Sequence, residues 1–164
     1  MLEHEWAEKL AIQELCARYC HTIDSQDAKG WAECFTADGA FEFDGWAIRG
    51  RAALAEYAEV HARVMRCRHM TLNCLYEVRG NQATGRSTTV VTLATDGGYK
   101  ILGQGGYEDQ LVKEDGQWRI ARRRLQTDRL VTEPQKPVNL ADPDVAALVG
   151  HLLAAAQRLG QKAD

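Results

Sequence analysis

Residues 12–35, Ile12 to Phe35, read IQELCARYCHTIDSQDAKGWAECF, and the way this stretch folds sets the rest of the chain. Apolar side chains at Ile12, Leu15, Cys16, Tyr19 and Ile23 recur at spacings of three and four, which at about 3.6 residues per turn makes one buried helical stripe. Asp24 stands at the edge of that stripe. An unpaired buried charge costs several kcal/mol, so the carboxylate there caps a helix, pairs with another group or takes part in chemistry. A chemical partner is expected far along the chain, in Arg68-His69-Met70-Thr71. Ser25-Gln26-Asp27 offers a cap, and Asp27 to Phe35 reads as a short second helix burying Trp31, Cys34 and Phe35.

Around this stretch the chain has 164 residues, 45% hydrophobic and 26% charged, which suits one globular domain able to bury a core and still enclose a pocket. A net charge of -3 supplies no basic field for a phosphate backbone, so no nucleic-acid partner is expected. The five cysteines, Cys16, Cys20, Cys34, Cys67 and Cys74, are odd in number and fall inside predicted elements, as free thiols in a reducing compartment would. The start, MLEHEWAEKL, is acidic and reads as neither a signal peptide nor a membrane span, so a cytoplasmic location is expected. Thr132 to Ala141, with Pro134 and Pro137, reads as a linker, which divides the chain into a domain over 1–130 and a linker with C-terminal helix over 131–164.

Downstream, Phe41 and Phe43 alternate with polar neighbours, so Ala40 to Phe43 reads as a first strand, and Asp44-Gly45 turns the chain toward Trp46 and Ile48. A third helix runs from Arg51 to about Met65, with Leu54, Tyr57, Ala58, His61, Val64 and Met65 on one face. From Arg68 the period becomes two: Met70, Leu72, Cys74, Tyr76 and Val78 fall on an apolar face, and His69, Thr71, Asn73 and Glu77 on a hydrogen-bonding one. Thr84 to Thr95 is rich in Thr and Val and reads as a strand, and Asp96-Gly97-Gly98 as the next hairpin. Tyr99 to Lys113 follows, with Gly103, Gly105 and Gly106 marking a bulge or bend and not a phosphate loop. The last strand runs from Trp118 to about Leu130. Three helices followed by a meander of long antiparallel strands argue an α+β fold with helices packed on one face of a curved sheet. Asp142 to Gly160 reads as a fourth helix with Leu148, Val149, Leu152 and Leu153 as its stripe, covering either the pocket mouth or a neighbouring subunit.

A helix with Tyr-x4-Asp, a short helix, a Phe-rich strand, a third helix, Arg-His-Met-Thr-x-Asn, a Gly-rich strand and Asp-Gly-Gln-Trp-Arg-Ile together resemble the nuclear transport factor two-like fold. Within it, the chain from about Glu5 to Leu130 is most similar to the SnoaL-like group that contains scytalone dehydratase, bile-acid 7-alpha-dehydratase and hexachlorocyclohexane dehydrochlorinase. The resemblance implies a cone-shaped α+β barrel, a curved antiparallel sheet with the N-terminal helices on its concave face and the site inside. It implies Asp24, His69 and Tyr19 as the catalytic residues, the Asp and His as a pair and the Tyr as donor of a hydrogen bond to a carbonyl or leaving oxygen, with a basic residue of the last strand near Arg123. Departures are visible too. The second His used by scytalone dehydratase has no counterpart, since after His69 only His151 remains. Val90 and Val91 stand where the bile-acid enzyme has a further acid, and its further Arg would fall at about Thr127, with Arg129 two residues on.

A His of ordinary pKa, about 6.5, accepts protons well at neutral pH, and a carboxylate on its far nitrogen fixes the tautomer. The expected function is therefore a cofactor-independent lyase, a dehydratase acting on a small hydrophobic cyclic alcohol of steroid, alicyclic or polyketide type. An isomerase or cyclase would use the same base, and a non-catalytic ligand-binding or assembly subunit is the reading from another class. Arg123, Trp46, Tyr57, His61, Asn73 and Tyr107 are the expected substrate-binding positions. Arg122-Arg123-Arg124 alternates, which sends its members to opposite faces. The resemblance implies Arg123 as the one that enters the pocket. Cys16 and Cys20 with His21 lack a second ligand pair at zinc-type spacing, so no metal is expected there, and Cys67-x-His69 is set aside as a thiol nucleophile. Association through the sheet into a homodimer or homotrimer is expected.

Overall fold

The computed structural model describes residues 2–128 and 142–163. The expected linker from Thr132 to Ala141, the last residues of the final strand and Arg129 lie outside the described residues.

Helix α1, Leu2–Asp24, is longer than the expected stripe and buries it as read: Ile12, Leu15, Cys16, Tyr19 and Ile23 all lie in the core. Gln26 takes a left-handed φ of 66° to leave the helix, and the Asp27 side chain then accepts from the Gly30 N–H at 2.9 Å to start α2, Ala28–Glu33. Phe35, expected to close that helix, instead opens β1, Phe35–Phe43, because it pairs with Ile120 of the last strand. After β2, Trp46–Arg49, and α3, Arg51–Val64, four long strands follow: β3, Cys67–Arg79; β4, Gln82–Thr95; β5, Gly98–Glu114; and β6, Gln117–Thr127. Helix α4, Pro143–Leu159, and the two-residue β7, Gln161–Lys162, complete the chain.

The strands form one seven-stranded sheet in the order β3-β4-β5-β6-β1-β2-β7. All pairs are antiparallel except β1 with β6, which run parallel. The sheet curves around the helices as the expected cone, and it is unclosed, since β3 and β7 remain as two edges.

Strand β3 departs from the expected alternation. Asn73 adopts φ 52°, and the pairing with β4 shifts between Leu72 and Leu75. Before this bulge Cys67 and His69 face inward and Met70 and Leu72 are exposed, while after it Cys74, Tyr76 and Val78 face inward and Leu75 is exposed. Met70 and Leu72 therefore do not share a face with Tyr76, because one inserted residue flips every side chain beyond it. In β5 the glycines do mark a bend: Leu102 is the extra residue opposite Val91 and Thr92, and a side chain at Gly105 would collide with the Gln126 carbonyl on β6.

Helix α4 folds back on its own chain. Val145 joins Met65, Cys67 and Leu93 in a small cluster at the end of the sheet, and Ala155 and Ala156 enter the main core. Lys100 on β5 holds Asp142 at 2.6 Å, and Arg158 pairs with Glu56 on α3 at 2.5 Å. Among the described residues, no helix is long and apolar enough to cross a membrane.

Candidate active site

The end of α1 and the start of β3 build the site. Asp24 is the last residue of α1, where the helix dipole disfavours a carboxylate, so its charge has to be met from elsewhere. His69 meets it twice. Its backbone N–H donates to both carboxylate oxygens at 3.1 Å, and its Nδ1 lies 2.7 Å from Oδ1. Arg68 Nη1 also donates to the Asp24 carbonyl at 3.4 Å, which satisfies one of the orphan carbonyls at the helix end. With Nδ1–H given to the carboxylate, the neutral imidazole keeps its lone pair on Nε2. The two side chains are only 8% and 12% exposed, enough for contact with a groove of about 910 Å³ between α1 and β3. Cys20, Thr71 and Asn73 also line it.

Behind the pair lie His61, in the last turn of α3, and Cys67. Cys67 Sγ is 3.5 Å from His61 Nε2 and 3.9 Å from His69 Nδ1, and the two imidazole rings are 5.5 Å apart. Burial, reinforced by the neighbouring His69, lowers the His61 pKa to about 4, and burial pushes the Cys67 thiol up to about 12. Among the described residues, His61, Cys67 and His69 are the set of His, Cys and carboxylate groups whose donor atoms lie within 4.8 Å of one another. Helical spacing, as at Cys16, Cys20 and His21, relates neighbours on one element, whereas this set spans α3 and β3.

Tyr19, Tyr107 and Arg123 form a stack in the core. The Arg123 guanidinium sits 4.4 Å from the Tyr19 ring centroid and 4.3 Å from that of Tyr107, fully buried. It grips Asp109 with two hydrogen bonds of 2.8 Å and touches Cys16 Sγ at 3.4 Å, while Nη1 has no partner. Arg122 and Arg124 point the other way, onto the buried Glu42 of β1, so the expected alternation of the three arginines is observed. Burial pushes the phenols of Tyr19, Tyr57 and Tyr107 above their ordinary range, and Tyr107 adds to the rise at the other two.

The expected positions thus separate into groups. Asp24 and His69 are in direct contact, and His61 joins them through Cys67. Tyr57 packs in an aromatic cluster with Trp31, Phe41 and Phe43. Trp46 is half-buried at the margin of the core, and Asn73 is exposed at the bulge, donating to Thr88 Oγ1 at 3.3 Å. Cys67, set aside above as a thiol nucleophile beside His69, lies between the two imidazoles, whereas Asp109, the partner of Arg123, has no local signal in the sequence.

Three comparisons bear on this arrangement. The profile described as SnoaL-like domain matches residues 4–124. A Mycobacterium tuberculosis structure described as a protein of unknown function is 67% identical over 98% of this chain and 95% of its own, with a TM-score of 0.95. An NTF2-like protein with a cystatin-like fold from Novosphingobium aromaticivorans is 26% identical, covering 77% of this chain and 86% of its own, with a TM-score of 0.72. A candidate scytalone dehydratase from the same organism is 24% identical over 87% of this chain and all of its own, TM-score 0.71, a likeness of fold alone. No curated protein matches the chain.

Proposed function

The chain belongs to the family of SnoaL-like domains, and from that footing we propose that it is a lyase that removes water from a small hydrophobic cyclic alcohol, with His69 as the base. The observation that carries this reading is the 2.7 Å contact between Asp24 Oδ1 and His69 Nδ1. A carboxylate placed there stabilises the imidazolium that forms when Nε2 takes a proton, and it fixes Nε2 as the acceptor beforehand. The proton lost from carbon, next to an activating carbonyl, goes to Nε2. The carbon–oxygen bond then breaks, and the departing hydroxyl takes that proton and leaves as water. Tyr19, kept protonated by its burial, lies in the core stack and does not line the groove. It therefore donates a hydrogen bond to the oxygen on which charge develops only for a substrate that reaches in past Cys20. None of these steps needs a cofactor. Isomerisation or cyclisation would begin with the same proton transfer and differ in where the intermediate collapses.

The test is turnover of β-hydroxy ketones, hydroxysteroids and polyketide-like alcohols, followed as loss of water in the mass spectrum. Wild type is expected to turn over at least one class, with His69→Ala and Asp24→Asn each slower by about 10²–10⁴-fold while remaining folded. Equal turnover in the variants would sink the base assignment. If no compound reacts and hydrophobic ligands raise the melting temperature equally in all three proteins, a binding module replaces the lyase.

The same reading includes a homodimer or homotrimer formed through the outer face of β3 to β5. Leu72, Leu75 and Ile101 are exposed there, beside the cross-strand pair Arg86 and Glu108. Opposite charges on one patch are self-complementary across a two-fold axis.

A further inference from the structure

We propose that His61, Cys67 and His69, joined by Asp24, form a binding site for zinc or a similar thiophilic divalent ion at the junction of α3 and β3. The proposal rests on distances and does not depend on the lyase reading. In a tetrahedral site with zinc–nitrogen and zinc–sulfur bonds of about 2.05 and 2.3 Å, a nitrogen and a sulfur ligand stand roughly 3.5 Å apart. Cys67 Sγ lies 3.5 Å from His61 Nε2 and 3.9 Å from His69 Nδ1, so both edges are close to those of a bound site. All three donor atoms fall within 4.8 Å of one another.

The local chain explains why these atoms converge. His61 ends α3, the chain turns at Met65 and Arg66, and Cys67 and His69 then project from the same face of β3 as alternate residues. Asp24 Oδ1, 2.7 Å from His69 Nδ1, lies outside the 4.8 Å set and becomes the fourth donor only by shifting as the ion takes that nitrogen. Two tetrahedral oxygen and nitrogen ligands stand about 3.4 Å apart, so this contact would open by roughly 0.7 Å on binding. Two imidazoles, a thiolate and a carboxylate suit zinc better than magnesium or calcium, which prefer oxygen alone. Binding releases the Cys67 thiol proton to solvent and moves the His69 ring proton from Nδ1 to Nε2, and the thiolate and the Asp24 carboxylate then balance the charge of the ion. Because the metal takes the nitrogen that Asp24 otherwise holds, the loaded site and the proton-accepting pair exclude each other.

The test uses cobalt(II) as the probe, added to the reduced, metal-free full chain in a non-chelating buffer. Wild type is expected to take up one equivalent, showing a thiolate-to-cobalt charge-transfer band and tetrahedral ligand-field bands that zinc abolishes. Cys67→Ser should lose the charge-transfer band, and both it and His61→Ala should bind at least tenfold more weakly. Cys20→Ser, a change to a groove thiol outside the set, should leave the spectrum as in wild type. A six-coordinate spectrum in wild type, or a charge-transfer band that survives in Cys67→Ser, overturns the site. Cadmium NMR of the wild-type protein keeps the test decisive if the variants unfold. A shift typical of one sulfur among nitrogen and oxygen ligands supports the site, and a shift typical of oxygen ligands alone refutes it.

Discussion

Asp24 and His69 show how a carboxylate at an unfavourable place is satisfied. A carboxylate at a helix C-terminus opposes the dipole, and three contacts from one residue of β3 offset this, two from the His69 backbone N–H and one from its ring. Asp24 was legible as the polar edge of an apolar stripe, but its partner was legible only through the likeness of the Arg-His-Met-Thr segment to a family, since nothing local ties two residues 45 positions apart. His61 was legible as one His on an apolar face, and its contact with Cys67 was not, because the angle between α3 and β3 decides it. His61 also has a measurable consequence. Its pKa is near 6.5 in an unfolded chain and about 4 when folded, so between these values the unfolded chain binds the extra proton. Stability is therefore whole above pH 6.5 and declines as pH falls toward 4, by roughly 3 kcal/mol at most. Urea unfolding of the metal-free protein across that window should show this decline, and His61→Leu should flatten it. Arg123 makes a second prediction at this scale. Arg123→Leu leaves Asp109 buried and unpaired and should cost about 3–5 kcal/mol, much of which Arg123→Leu with Asp109→Asn should restore. Chemical denaturation of the two variants measures the difference.

At the scale of elements, β3 carries the lesson of what alternation can and cannot reveal. Period two found the strand and placed His69 and Thr71 together correctly. It could not see that Asn73 inserts an extra residue, because a bulge is a property of the pairing with β4, not of the strand's own composition. Without it, the phase that turns Cys67 and His69 inward would send Tyr76 outward, away from Cys16 and Asp109. The side chain type is the one available clue, since Asn tolerates a left-handed φ better than any β-branched residue. Asn73→Gly should thus be close to neutral in urea unfolding, whereas Asn73→Val should lose about 1–2 kcal/mol. Phe35 failed for a similar reason: its helical spacing was real, but pairing with Ile120 outweighed it.

For the whole molecule, the order of helices and strands prescribed an α+β layer of the right kind, while closure was beyond it. The parallel pairing of β1 with β6 and the open edges at β3 and β7 depend on where distant strands meet. The outer face left by that curvature should mediate association, so light scattering coupled to size exclusion is expected to find wild type as a dimer or trimer and Leu75→Glu shifted toward monomer. His69 lies beside the groove between α1 and β3, where the proposed base would act. The most direct measurement is nitrogen NMR of the His69 imidazole at pH 8 in the metal-free protein, in wild type and in Asp24→Asn. Wild type should show a proton on Nδ1 and a bare Nε2, with the preference weakened or reversed when Asp24 is replaced. A wild-type His69 carrying its proton on Nε2, or a tautomer unmoved by the substitution, would contradict the assignment of His69 as a base held by Asp24.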